Sequence, residues 1–374
     1  MKPFDVYSVF DIAIVKASGS RLWDDAGNSY LDLYGGHAVI SIGHSHPHYI
    51  QRVAGQLQQI GFYSNSVKIG LQEKLAEKLG ELSGYPDYDL FLCNSGAEAN
   101  ENAFKLASFH NGREKIVAFQ GSFHGRTSLA VSATDNPQIV APVNENAHVC
   151  FLPWNSIEAL EHGIDADTSA VIVEGIQGVA GARIPSVAFL QAIERRCRAT
   201  GAMLILDEVQ SGYGRSGKFF AHQHAGIKPD IITVAKGMGN GFPVAGVLIG
   251  PHIQARKEML GTTFGGNYLA CAAAQAVLDV IDQEALIEAA AEKGRYLHNE
   301  LLKLPRIRDL RSQGLMTGIE LFEPAAGVRS TLLKEHRIFT GSASEKHTIR
   351  ILPSLTISYE DLDVFIHALN HTLN

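Results

Sequence analysis

The chain has 374 residues, 45% hydrophobic and 19% charged, with a formal net charge of -7. That size suits a large buried core and two domains. The negative balance argues against nucleic acid as the main partner, because phosphate binding needs a concentrated positive field. The most apolar stretches, such as Leu269 to Ile281, are too short to span a bilayer. The N-terminal MKPFDVYSVF has no apolar signal region. The four cysteines (Cys93, Cys150, Cys197, Cys271) show no C-x-x-C spacing. They read as reduced thiols of a cytoplasmic protein.

Along the chain, RLWDDAGNSYLDL (Arg21 to Leu33) is apolar on both sides of an Asp-Ala-Gly-Asn turn and predicts a hairpin. LQEKLAEKLGEL (Leu71 to Leu82) has helical periodicity. Short apolar runs then recur: Leu90 to Cys93, IVAF from Ile116, VCFL from Val149, AVIV from Ala170, MLIL from Met203, IITV from Ile231 and VAGVLIG from Val244. Several are separated by helix-length segments such as Phe189 to Thr200. Buried strands alternating with helices predict an α/β domain with a mostly parallel sheet. After Gly266 a long helix, NYLACAAAQAVLDVIDQ, leads into a smaller α+β segment. The expected division is a large domain over 55–265 and a small one assembled from 1–54 and 266–374, in intimate contact.

Ligands of parallel α/β sheets gather at the carboxyl ends of the strands, so the residues after each run are the candidates. Asn94 to Asn100, NSGAEAN, opens a helix with small residues. Its free N–H groups and positive dipole end suit a phosphate; a plain N-cap by Ser95 is the other reading. Gln120 to Ser128, QGSFHGRTS, offers a flat ring at Phe123, an imidazole at His124 and a guanidinium at Arg126 able to grip a carboxylate. Asp207 directly follows four apolar residues, and an ionised carboxylate at that depth needs a cation or strong hydrogen bonds. A structural salt bridge would also meet that need. Lys236 follows the strand from Ile231 and precedes a glycine-rich turn. A lysine desolvated there loses basicity and becomes nucleophilic. Gly237, Gly239 and Gly241 do not fit the dinucleotide pattern G-x-G-x-x-G.

One cofactor uses all four features. Pyridoxal 5'-phosphate (PLP) has an aldehyde for the lysine, a pyridine nitrogen kept protonated by a buried carboxylate, a flat ring and a phosphate. A metal-dependent hydrolase is the alternative from another class, on the H-x-H-x-H of His44, His46 and His48. A non-catalytic scaffold is a further one, opposed by the intact Lys236, Asp207 and Arg126.

The chain resembles the class III, fold type I PLP-dependent aminotransferases, and within them the acetylornithine/succinylornithine group. The matching stretches are Asn94 to Ala107, Phe123 to Thr127, Leu206 to Gly217, Ala235 to Gly246, Thr262 to Cys271 and Arg350 to Leu355. The resemblance implies the fold: a mostly parallel central sheet in a large domain, plus a smaller α+β domain. It implies transfer of the terminal amine of an acylated ornithine to 2-oxoglutarate, in arginine biosynthesis. Ornithine δ-aminotransferase and 4-aminobutyrate aminotransferase are runners-up; a glutamate-semialdehyde-type mutase fits the pair Arg126 and Arg350 less well.

By the same resemblance Lys236 is the Schiff-base lysine and Asp207 the partner of the pyridine nitrogen. Gln210 meets the phenolic oxygen, and Phe123 and Val209 cover the two ring faces. Ser95, Gly96 and Ala97 hold the phosphate, and His124 belongs to the cofactor set. Thr263 reaches the phosphate of a neighbouring subunit, which implies a homodimer with shared sites. Arg126 takes the donor's α-carboxylate, Arg350 that of glutamate, and Glu174 lies close by. Four positions depart from the pattern. Val179 stands where a Glu usually pairs with the Arg at 350, and Gly175 where a Pro is usual. His37 replaces an aliphatic residue and suggests either a place for a succinyl carboxylate or a ring simply hydrogen-bonded in the wall. Tyr268, in place of Pro, has no functional reading.

Overall fold

The runs AVIV, MLIL and IITV are apolar without alternation because both their faces are covered. Thr168–Glu174, Met203–Asp207 and Ile231–Val234 are buried at every residue. A computed structural model describes residues 1–374. These three strands lie at the middle of a seven-stranded sheet. Its order is Asp89–Cys93, Ala245–Ile249, Ile231–Val234, Met203–Asp207, Thr168–Glu174, Lys115–Phe119, Val149–Leu152. All run parallel except Ala245–Ile249, which is antiparallel to both neighbours. The expected α/β class and mostly parallel sheet are therefore observed. The reversed strand is the one feature that its apolar run does not announce.

Helices form where the periodicity placed them. Gly70–Ser83 covers the predicted Leu71 to Leu82, and Val187–Thr200 extends the predicted Phe189 to Thr200 by two residues. Ser186 sets the earlier start, since its side chain accepts from the Phe189 amide at 3.2 Å and satisfies a first-turn donor. Tyr268–Gln283 follows Asn267, whose side chain accepts from the Ala270 amide.

The predicted hairpin forms from Arg21–Asp24 and Ser29–Asp32. Asp24 closes its turn by accepting from the Asn28 amide at 2.7 Å and the Asn28 side chain at 2.9 Å. Ile14–Ser18, not anticipated, adds a third antiparallel strand. Ile338–Phe339 from the far end of the chain pairs parallel with Ser29–Asp32. A third sheet, Ile307–Gln313, Met316–Leu321, Thr348–Ile351 and Gly341–Ser342, carries Arg350. One hydrophobic core joins these parts: Leu31 and Leu33, Leu75 and Leu79, Val234 and Leu248, and Phe365 and Leu369 belong to the same cluster. No helix is long and apolar enough to cross a membrane.

Phe365, on the C-terminal helix Tyr359–Leu373, is fully buried in that shared core. Phe365→Ala is expected to cost about 3–5 kcal/mol through the lost burial and the remaining cavity. Chemical denaturation followed by circular dichroism measures it.

Candidate active site

A cavity of about 380 Å³ opens at the carboxyl ends of the parallel strands. Ser95, Gly96 and Ala97 lie just past Asp89–Cys93, and Phe123, His124 and Arg126 past Lys115–Phe119. Glu174 and Asp207 end their own strands, Val209 and Gln210 follow Asp207, and Lys236 follows Ile231–Val234. All of these line the cavity wall. Every wall residue except Val39 comes from between positions 94 and 244.

Asp207 is 4% exposed. Its Oδ2 receives the Asn100 side-chain amide at 2.8 Å and lies 2.7 Å from His124 Nδ1. Its Oδ1 accepts from the Val209 amide at 3.0 Å. Three donors thus compensate a buried carboxylate, as its position demands. Asn100 also donates to the His124 carbonyl at 2.7 Å and accepts from Thr233 Oγ1 at 2.7 Å. Asn100 and Thr233 were not anticipated as site residues. The available signal for Asn100 was its place inside an otherwise good helical run, where Asn is a poor helix former.

Lys236 stands at φ +45° on a short 3₁₀ turn. Burial pushes its amine pKa down, opposed by Asp207 and Glu174 and helped by Arg350. A neutral amine is a nucleophile and can also carry a proton. Ser95 caps the helix Gly96–Asn111, its side chain accepting from the Glu98 amide at 3.2 Å. The first-turn amides of Gly96 and Ala97 then have no helical acceptor and are free for an anion. The N-cap and the anion seat therefore coexist. The clearance is tight: a Cβ on Gly96 would meet Val209 Cγ1 at 2.7 Å, and one on Gly178 would meet Gln210 Oε1 at 1.8 Å.

Three anticipated residues lie off the cavity wall. Thr263 is exposed on the loop before Phe264. His37 sits in a left-handed turn at φ +66°. Its carbonyl accepts from Gln210 Nε2 at 3.1 Å, and its ring is bonded to the Tyr34 hydroxyl. Burial, then Arg350 and Lys236, push its pKa below 6.5, so the ring is neutral at pH 7. Arg350 is 3% exposed, behind Gln210. It donates to the Ser342 carbonyl and, at 3.4 Å, to Gln210 Oε1. With Val at 179 its hydrogen-bond partners are neutral oxygens rather than a carboxylate. Arg126 is exposed at the cavity mouth.

The three histidines of H-x-H-x-H diverge. His44, His46 and His48 each contact a different carboxylate, Asp32, Glu284 and Asp279, at 2.9 Å. No group of three or more His, Cys, Asp or Glu side chains is arranged to hold a metal ion. With each ring engaged by its own carboxylate, the three histidines share no common centre for the metal alternative.

The residues on this wall fit PLP: a nucleophilic amine, a compensated carboxylate, an aromatic face and a helix N-terminus surround one cavity. The class-III aminotransferase family model matches residues 5–373. Acetylornithine aminotransferase of Bacillus subtilis is 40% identical, over 96% of this chain and 94% of its own. The enzyme of that name from Methanopyrus kandleri is 39% identical over 96% and 93%. Among solved structures, ornithine aminotransferase of Toxoplasma gondii, with PLP at partial occupancy in its active site, aligns with TM-score 0.91. It is 27% identical and covers 99% of this chain and 91% of its own. The chain belongs to the class-III aminotransferases. It is a PLP-dependent aminotransferase of fold type I.

Glu174 supplies a pH signature. Phe123 donates its amide to Oε1 and Gly178 its amide to Oε2, both at 3.0 Å. Burial pushes the carboxyl up from 4.5 to about 7; Asp207 adds to the rise, while His124 and the two amides oppose it. A folded-state pKa above the unfolded value means that the proton's stabilisation is complete below about 4.5 and is lost as pH rises through about 7. Glu174→Gln is expected to flatten the fall in stability across that window, read from thermal midpoints between pH 4.5 and 8.

Proposed function

We propose that this aminotransferase moves the terminal amine of an N-acylated ornithine to 2-oxoglutarate, forming the N-acylglutamate semialdehyde and glutamate, as a step of arginine biosynthesis in the cytoplasm. The observation that carries the reading is the 40% identity with an acetylornithine aminotransferase along nearly the whole chain. Two guanidiniums at different depths support it. Arg126 at the mouth suits a carboxylate far from the reacting amine, and Arg350 behind Gln210 suits one beside it. Four free cysteines are consistent with a reducing compartment.

When bound, PLP supplies an aldehyde for amine exchange and a ring that withdraws electrons from the carbon losing its proton. The chain's own groups do the rest. Lys236 Nζ would hold the cofactor, and its buried amine, of lowered basicity, is the group placed to carry a proton there. Asp207, compensated by His124, Asn100 and the Val209 amide, would keep a proton on the pyridine nitrogen. Phe123 and Val209 would confine the ring, Gln210 would meet its oxygen, and the Gly96 and Ala97 amides with Ser95 would hold the phosphate. In the proposed division residues 55–265 make the body of this site, 1–54 adds Val39 to its wall and 266–374 sets Arg350 behind Gln210.

A second copy of the chain completes the assembly in this reading. Helix Pro47–Gln59 has no buried residue. Its Ile50 and Leu57, with Phe62, Tyr63, Val67 and Phe264, are exposed, and the Phe62 and Phe264 rings lie 5.4 Å apart. Such an apolar area needs cover. It adjoins Thr263, which then reaches the partner's phosphate seat.

For the acyl group we favour acetyl, because the neutral His37 ring, engaged by Tyr34, brings no positive charge for a succinyl carboxylate. N-Acetylornithine added without an acceptor is expected to convert the yellow cofactor band to its aminated form; an unmoved band overturns the donor assignment. His37→Ala is expected to change kcat/KM for N-acetyl- and N-succinylornithine by the same factor. A selective loss on the succinyl donor would restore the succinyl reading.

A further inference from the structure

Behind the cavity wall lies a second buried polar cluster that faces away from it. Glu208 separates the wall residues Asp207 and Val209, and its side chain is fully buried. Its Oε2 accepts from Ser211 Oγ at 2.6 Å and the Ala221 amide at 3.0 Å. Its Oε1 accepts from the His222 amide at 2.9 Å and lies 2.7 Å from His222 Nδ1. The other ring nitrogen of His222 is 2.6 Å from the Tyr85 hydroxyl. The imidazole is fully buried and stacks on Phe220 at 5.5 Å. Tyr85 stands just past helix Gly70–Ser83.

Packing alone does not call for such a cluster, since apolar side chains of equal volume fill a core without the desolvation cost of a charge. A satisfied polar network specifies one geometry instead. The geometry at stake is that of Val209 and Gln210. Val209 is wedged against Gly96 and Gln210 against Gly178, with no space for one added carbon at either glycine. Glu208 is tied by backbone as well, its amide donating to the Thr233 carbonyl at 3.0 Å and its carbonyl accepting from Gly212 at 3.0 Å. From the opposite side, a Cβ on Gly175 would approach Glu208 Oε1 to 2.6 Å.

We propose that Glu208, held by His222 and Tyr85, is a positioning residue that sets where Val209 meets the face of the cofactor ring and Gln210 its phenolic oxygen. The inference rests on the reading of those two residues as cofactor contacts. Glu208 touches neither cofactor nor substrate. It acts because a shift on the order of 1 Å in a contact residue can cost up to about a hundredfold in rate.

The test compares holoenzymes of wild type, Glu208→Gln, Tyr85→Phe and Gly175→Ala by visible-region circular dichroism of the cofactor, PLP dissociation constant, kcat and KM, and thermal midpoint. Glu208→Gln keeps the shape but turns a donor toward groups that already donate. Tyr85→Phe removes only the hydroxyl at the outer end, and is mild enough to fold if Glu208→Gln is not. Gly175→Ala displaces the same carboxylate from the other side. The expected result is altered dichroism in all three, with PLP affinity weakened roughly tenfold in Glu208→Gln and less in Tyr85→Phe, and kcat reduced more than KM is raised. If thermal midpoints fall while dichroism, PLP affinity and kcat stay at wild-type values, the cluster serves the fold alone and the inference is overturned. Dichroism and affinity need no substrate, so they decide this inference even where the acylornithine reading fails.

Discussion

The charge on Asp207 organises the centre of this molecule. A carboxylate at the end of a fully buried strand is stable only if donors reach it from several directions. Three different parts of the chain provide them: the helix from Gly96 through Asn100, the loop after Phe119 through His124, and the turn after the strand through the Val209 amide. Those same three parts carry the helix N-terminus, the aromatic ring and Gln210. Meeting the electrostatic need of one side chain therefore brings the cavity's walls to their places. Thr233 extends the arrangement by bonding Asn100 from the strand that delivers Lys236.

Two more buried charges are handled differently. Glu174 is tied by two backbone amides and has its proton held far above the usual carboxylate range, so it sits near neutrality beside Asp207. Arg350 relies on a carbonyl and an amide oxygen, with Tyr34, Glu174 and Arg329 as its charged or titratable neighbours. Val179 brings no carboxylate to it, where the resemblance leads one to expect a Glu. A guanidinium with neutral partners keeps more of its attraction for an incoming carboxylate than one already paired, at the expense of stability.

The seven central strands and the main crossover helices were legible because burial on both faces produces unbroken apolar runs, and helices carry their own period. The sheet's reversed strand was not, since an apolar run has no direction. Strand Ile14–Ser18 escaped because its side chains are mostly exposed and lack alternation. Within the site, position at a strand end singled out Lys236, Asp207 and the Phe123–Arg126 loop as candidates, and only their combination pointed to one cofactor. Asn100 and Thr233 were hidden because each lies inside a regular element, where a polar residue reads as surface until its partner is known. His37 left two readings open in sequence, a donor or charge for a substrate and a ring hydrogen-bonded in the wall. Its left-handed backbone and bond to Tyr34 make it a neutral brace whose carbonyl holds Gln210.

What the sequence by itself determined is the chemistry present and its order: an apolar run, then a nucleophile, an acid, a ring or a small-residue turn, each delivered to the same edge because parallel strands share a direction. It also determined membership of the class-III aminotransferases, since several motifs recur together at family spacing. Only the tertiary structure decided which groups share a proton or a hydrogen bond. Asp207 and His124 are 83 positions apart, Gln210 and His37 173, and Arg350 and Gln210 140. Such pairs have no local sequence signal, because hydrogen bonds act over about 3 Å in space and take no account of separation along the chain. The same limit hid Glu208, which in sequence is one acid next to another and in the fold faces the opposite way.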